Sequence, residues 1–421
     1  MNQLLDKVQD ESNHLYRSHY GKMVAWLLYF SSDIDLETAE DIAQDAFTSA
    51  IVTWRNDGIP ANPAGWIFVV CRNKALNKIK EKKRITGINI HSTLHAEELE
   101  FSESVLNDQQ LKLLFACAHP DLSPKTQVII TLKYVVNLKV EAIASVFGMT
   151  IDGIDKILVR ARQKIRNEKI LLTVPDINAL KSRLPIIHKI IYLIYNEGYK
   201  SSSGKEILRE ELCEEALLMN KELLDQNIAN HETAALHALM LFNAARFKAR
   251  FGPQGELRDL EEQDRSLWNK NLIALGCEFM ERARGGIVST YHFEASIAYL
   301  HCRESDFRNI DWNSISKLYF HLQKINPNPF VELNYAIALY YAGQQQKAMS
   351  ILKQLSEKPF MNQYYLLNAT MAKIYFLEKN FKLARLFYEK TLHQTNLRAE
   401  KDFILKMIGR INDAVKQYGG G

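Results

Sequence analysis

A chain of 421 residues has room for roughly two to four domains, and its formal net charge of +4 is too small to mark a nucleic-acid binder by itself. At 47% apolar residues it has ample material for packed cores, which excludes wholesale disorder. The cysteines Cys71, Cys117, Cys213, Cys277 and Cys302 are odd in number and form no CxxC pair, which argues against a disulfide frame or a zinc site and for reduced thiols in a cytoplasmic setting.

Helical periodicity dominates throughout, and neither alternating strand patterns nor Asn-Gly hairpin signals occur, so an all-α protein is expected. The opening "MNQLLDKVQDESNHLYR" is acidic and amphipathic, unlike a secretory leader. No apolar run approaches the roughly 20 residues a membrane span requires, so a soluble protein with no membrane partner is expected. Charge is sorted into blocks: acidic at 33–45, basic at 72–84, acidic again at 97–108 and basic at 156–169. Such blocks suit a protein that holds an anion with one face and a basic partner with another; any one block reads equally well as a solvated helix face.

Residues 1–85 read as a first helical domain, closed by "RNKALNKIKEKKR" (72–84), where seven cations share thirteen positions with Glu81 as the only acid. Taken as one helix at 100° per residue, 66–84 puts Trp66, Asn73, Asn77 and Arg84 on one stripe, flanked by Lys74 and Lys80. Val69, Leu76 and Ile79, with Phe68 and Ala75, are expected on the core side. An aromatic plane, amides and cations on one stripe suit single-stranded or opening DNA, because an unstacked base needs a π-face and an edge partner as well as charge. Packing against a neighbouring helix is the plain alternative for Trp66.

Residues 86–118 are polar and acidic and read as a linker, with a helix starting near Asn107. A second helical domain is expected over 119–172. Within it, "NLKVEAIASVFGMTIDGIDKILVRARQKIR" (137–166) has the form of a helix-turn-helix. Val140, Ile143 and Ala144 give the first helix, Gly148 suits a left-handed end, Thr150 suits an N-cap, and Asp152 complements the dipole. Ile154, Leu158, Ala161 and Ile165 form a buried stripe, opposite a face carrying Lys156, Arg160, Gln163 and Arg166. A short glycine turn leading into a helix with a basic outer face fits a DNA major groove; an ordinary helical hairpin is the alternative.

From 173 to 421 helix follows helix. Segments 334–355 and 368–392 align with Ala336 on Ala372, Tyr340 on Phe376 and Ala348 on Ala384, close to the roughly 34-residue period of tetratricopeptide hairpins. Pro327 and Pro329 punctuate the start of this array, placed at about 330–395, and helices at 230–320 are candidate degenerate copies. Asn196, Glu197 and Gly198 beside Tyr199 read as a helix end. There is no HExxH, GxSxG, Walker or GxGxxG pattern, so neither an enzyme nor a cofactor or metal is expected.

Two of these segments carry a resemblance. "LKVEAIASVFGMTIDGIDKILVRARQKIR" resembles region 4 of bacterial RNA polymerase sigma factors, and "LETAEDIAQDAFTSAIVTW" with "PAGWIFVVCRNKALNKIKEKKR" resembles region 2. Having these two regions in order and nothing between them is the pattern of extracytoplasmic-function sigma factors. "LSPKTQVIITLKYV" (122–135), "IIYLIYNEGY" (190–199) and the tetratricopeptide-like helices resemble the subgroup with a long helical C-terminal extension. The resemblance implies that Asn56, Asn62, Trp66, Arg72, Asn73, Asn77, Lys78, Lys80 and Arg84 meet the melted −10 element, with the loop "RNDGIPANP" (55–63) pocketing a flipped base. For the −35 element it implies Thr150, Asp152, Asp155, Lys156, Arg160, Arg162, Gln163 and Arg166. Asp41, Gln44, Asp45 and Phe47 fall where region 2 docks on the clamp helices of the polymerase β′ subunit, and region 4 is expected at the β flap. The extension is expected to bind regions 2 and 4 or a protein partner, and to regulate initiation.

One departure stands out. Asp152, Asp155 and Ile157 occupy recognition-helix positions where the family has basic or small residues. Carboxylates facing phosphate cost affinity unless they accept from a cytosine amine. Either the −35 contact is weak, or the helix sits differently, or Asp155 reads a base. The rival functions are a helical-repeat scaffold and a helix-turn-helix regulator that acts without core polymerase.

Overall fold

The computed structural model describes residues 2–31, 33–86, 101–168, 170, 177–200, 208–225, 228–253, 255–395 and 397–418. Among them there are nineteen α-helices and no strand, only an isolated antiparallel bridge between Phe251 and Leu257. The chain divides into two compact units, residues 1–203 with 208–228, and residues 204–207 with 229–421.

The first unit opens with α1 (Asn2–Phe30), α2 (Leu36–Asp57) and α3 (Pro63–Thr86). Local chemistry sets their ends. The Asp35 carboxylate accepts the Thr38 N–H at 2.9 Å and starts α2. Asn62 starts α3 by accepting the Gly65 N–H at 2.9 Å, and Pro63 fills the first turn, where a missing N–H costs nothing. The core between them is aromatic: Phe47 lies 5.1 Å from Tyr16, edge to face, and Trp26 lies 4.6 Å from Phe68.

Next come α4 (Glu103–Cys117), α5 (Pro124–Tyr134), α6 (Val140–Phe147) and α7 (Ile151–Asn167). The segment read as a linker therefore differs in its second half. The helix starts at Glu103, four residues before the expected Asn107, and it buries Leu106, Leu113, Leu114 and Phe115. Gln110 is buried with them, and Asn107, Asp108, Gln109 and Lys112 are half-buried, so a polar composition here resembles a linker although the segment is packed. Pro175, where the sequence pattern of the second domain breaks, lies outside the described residues. Backbones meet where α1 crosses the end of α5: a Cβ on Gly21 would lie 1.9 Å from the Val135 carbonyl oxygen.

Two helices expected to open the extension, α8 (Ile177–Tyr199) and α9 (Glu210–Asp225), belong to this same unit. Arg183 of α8 donates to the Phe115 carbonyl at 2.7 Å. Gln110 of α4 donates to the Val135 carbonyl at 3.1 Å and to Glu215 of α9 at 2.6 Å.

The second unit is built from helix pairs: α10 (His231–Ala244) with α11 (Lys270–Arg282), α12 (Thr290–Arg303) with α13 (Trp312–Ile325), and α14 (Pro329–Tyr341) with α15 (Gln345–Glu357). A short α16 (Pro359–Asn362) leads to α17 (Tyr365–Leu377) with α18 (Phe381–Leu392), and α19 (Arg398–Tyr418) closes the array. Ala336, Ala348, Ala372 and Ala384 are fully buried at the crossings, as the internal repeat requires, since small residues let paired helices approach. Tyr340 and Phe376 pad the same places, half-buried.

Candidate nucleic-acid and polymerase interface

Helix α3 separates its faces sharply. Ile67, Phe68, Cys71, Ala75 and Ile79 are buried, at the i, i+4 spacing of a core stripe. Asn73, Asn77, Lys78, Lys80 and Arg84 are exposed, and Trp66 is half-buried at the head of the same face. Val69, expected in the core, is 42% exposed on this face. At 100° per residue it lies 60° from Trp66, whereas the buried stripe is centred nearly opposite. Leu76 is half-buried on the flank. Trp66 meets the buried Trp54 edge-on at 5.6 Å, so one side of its ring is seated on the domain. Arg72 is half-buried on the flank, its Nε without a hydrogen-bond partner. Lys82 is tied back, donating to the Asp33 carbonyl at 2.9 Å. In the loop ahead of the helix, Asn56 and Asn62 are exposed, with Asn62 Oδ1 already used as the cap.

The helix-turn-helix forms as its local signals dictate. Gly148 is left-handed at φ +58, and Thr150 Oγ1 accepts the Gly153 N–H at 3.1 Å. Ile154, Leu158 and Ala161 are buried; Ile165, expected with them, is half-buried. Asp152, Asp155, Lys156, Arg160, Gln163 and Arg166 are exposed together with Ile151 and Val159. Lys156 is 2.7 Å from Asp152, so this acid is neutralised within its own helix.

The acids of α2 divide between two tasks. Asp41, Gln44 and Asp45 are exposed, Asp45 lying 3.8 Å from Lys74. Phe47 is 3% exposed and belongs to the aromatic core, so it is not the surface anchor expected from its place in the acidic block. Glu37 and Glu40 face α5 and α7. Arg166 is 2.9 Å from Glu37 and 4.0 Å from Asp35, while Glu40 lies 3.2 Å from Lys133 and 3.9 Å from Arg162. Burial alone pushes the Asp35 carboxyl up, but hydrogen bonds from Thr38 and the charges of Arg166 and Lys82 outweigh it and hold it below its ordinary value. Arg162 and Arg166, expected at DNA, are thus engaged by the first domain. The acidic block 33–45 hinted at such a partner; which cations it meets depends on tertiary packing.

Two small helical domains, each presenting a cationic helix, fit the class of DNA-binding proteins. Residues 15–85 match the sigma-70 region 2 family and residues 112–165 the sigma-70 region 4 family, while 183–284 match a family of unknown function, DUF6596. "Uncharacterized protein R00370" of Rhizobium meliloti (strain 1021) is 32% identical over 344 residues, covering 80% of this chain and 81% of that protein. "RNA polymerase sigma factor YlaC" of Bacillus subtilis (strain 168) is 24% identical over 162 residues, covering 38% of this chain and 92% of that protein. No solved structure matches. The chain belongs to the sigma-70 family, as an extracytoplasmic-function sigma factor with a helical C-terminal extension. Its role is therefore in transcription initiation, with RNA polymerase core enzyme and promoter DNA as partners.

Proposed function

We propose that this sigma factor directs core polymerase to promoters by reading the −10 element with α3 and the 55–63 loop and the −35 element with α7. The observation that carries this reading is the exposed face of α3. Asn73, Asn77, Lys80 and Arg84 share it, exposed, with Trp66 half-buried at its head. Trp66 offers a free edge for a splayed base, Asn73 and Asn77 offer donors and acceptors for its rim, and Lys78, Lys80 and Arg84 meet phosphates. On α7, Arg160, Gln163 and Lys156 provide phosphate and base contacts. Asp155 accepts from a cytosine amine, and Val159 beside it packs on a thymine methyl. Asp41, Gln44 and Asp45 dock on the β′ clamp helices, while region 4 meets the β flap.

The extension regulates access. The packing of α8 and α9 on α4, and the pairing of Arg162 and Arg166 with Glu40 and Glu37, support a compact resting arrangement that has to loosen before both DNA faces engage. The test is run-off transcription with core enzyme. A sigma factor co-elutes with core and supports initiation from DNA that core alone ignores. A helix-turn-helix regulator binds duplex tightly alone and never joins core.

A further inference from the structure

The second unit holds an acidic segment, Asp259–Glu262, that promoter recognition does not use. It emerges from a short hairpin. Phe251 bridges Leu257, the Arg258 N–H donates to the Arg250 carbonyl at 2.9 Å, and Gln263 donates to the Arg258 carbonyl at 3.3 Å. The hairpin anchors the segment at Leu257 and Arg258, and the carboxylates stand on the turn that follows.

Cations of α17 and of the closing helix α19 meet them. Lys373 of α17 lies 2.6 Å from Asp259 and 3.0 Å from Glu261. Lys406 of α19 is 3.3 Å from Glu262, and Arg410, one turn further on, pairs with the same carboxylate. Tyr341, at the end of α14, and Tyr388 of α18 lie near enough to feel these charges: burial and the carboxylates of Asp259 and, for Tyr341, Glu261 raise their phenol pKa values, and Lys373 opposes the rise. A cationic and phenolic face drawn from four helices of the repeat array is filled by carboxylates of the same chain.

We propose that this face is a docking site for an acidic polypeptide segment, and that Asp259–Glu262 is its built-in occupant, displaced when a partner's acidic segment arrives. Lys373 is 24% exposed, and an ammonium this far from water is costly to leave unpaired. The face therefore demands carboxylates at all times, from the loop or from a partner, and a neutral or basic segment is rejected for the same reason. The occupant is exchangeable because its other pairs are partly solvated. Such pairs are individually weak, and a partner with a similar acidic run and further contacts outcompetes them. The inference goes beyond the sigma-factor role, and its test involves neither polymerase nor DNA.

The probe is a labelled synthetic peptide with the sequence of residues 256–264, titrated against the full chain by fluorescence anisotropy. The triple variant Asp259→Asn, Glu261→Gln, Glu262→Gln, which weakens the internal occupant, is expected to bind it at least about tenfold more tightly than the parent chain. Adding Lys373→Met to that variant removes the gain, and so does raising the salt several-fold. Equal affinity for parent and triple variant, or a gain that survives Lys373→Met, overturns the proposal and leaves these pairs as a fixed internal tie. Should the triple variant lose its native thermal transition, Glu262→Gln alone serves in the same comparison, since it leaves both Lys373 pairs in place. A smaller gain, abolished by Arg410→Gln, is then expected, and no gain overturns the proposal.

Discussion

Arg166, in the last turn of α7, lies 2.9 Å from Glu37, in the first turn of α2. A cation expected at the −35 element is thus held by the domain expected at the −10 element. Both partners are more than half exposed, so the pair contributes at most about 1 kcal/mol. Replacing Glu37 with Gln should leave the urea midpoint nearly unchanged. It should also strengthen binding of the chain to duplex DNA, measured by anisotropy at low salt, because Arg166 is freed from it. Weaker DNA binding in this variant contradicts the expectation.

On the outer face of α7, Arg160 and Asp155 should behave oppositely. Arg160→Ala should weaken holoenzyme binding to all promoters alike and lower the slope of log affinity against log salt by about 0.9. Asp155→Ala should leave that slope nearly unchanged and relax preference at a single base pair, by about 1–3 kcal/mol. Competitive binding to a promoter library resolves the two patterns.

These surfaces were legible in the sequence to different degrees, for physical reasons. The Gly148 turn and the Thr150 cap are set by residues within a few positions, so local chemistry places them correctly. Phe47 and Val69 were misplaced, the first because an aromatic inside an acidic block looks like an anchor, the second through the phase of one helix. The Glu37–Arg166 pair spans 129 positions, and no local signal encodes it. The alanines of the repeat are legible because helix crossings admit only small side chains.

Truncation should separate two parts of the extension. Cutting after Ile228 leaves α8 and α9 on the first unit, whereas cutting at 175 removes both, taking away the buried Ile187, Ile190 and Ile194 of α8 and uncovering the residues they cover. The longer fragment should unfold cooperatively, while the shorter one should lose several kcal/mol or aggregate, given what buried aliphatic residues contribute. Thermal unfolding of the two fragments decides; equal stability contradicts the packing described for α8 and α9.

Stability should fall with acid through His301. Burial, reinforced by the charges of Arg246 and Arg265, pushes its pKa down to about 3. The folded state keeps the ring neutral, while the unfolded chain takes up a proton below about 6.5. The contribution is therefore fully present above that value and is lost as the pH drops from about 6.5 towards 3, at up to about 1.4 kcal/mol per pH unit. Urea midpoints at about pH 7.5 and pH 5 should differ in the parent chain and converge in His301→Leu.

The central claim is that α3 and α7 of one chain grip a single promoter together with core polymerase. The direct measurement is to let reconstituted holoenzyme select DNA from a random library and to map the winners by footprinting and permanganate reactivity. Two sequence blocks at a fixed spacing are expected, with unpaired thymines in the downstream block and no such melting by the Trp66→Ala holoenzyme. A single block, bound equally well without core enzyme and never melted, would contradict it.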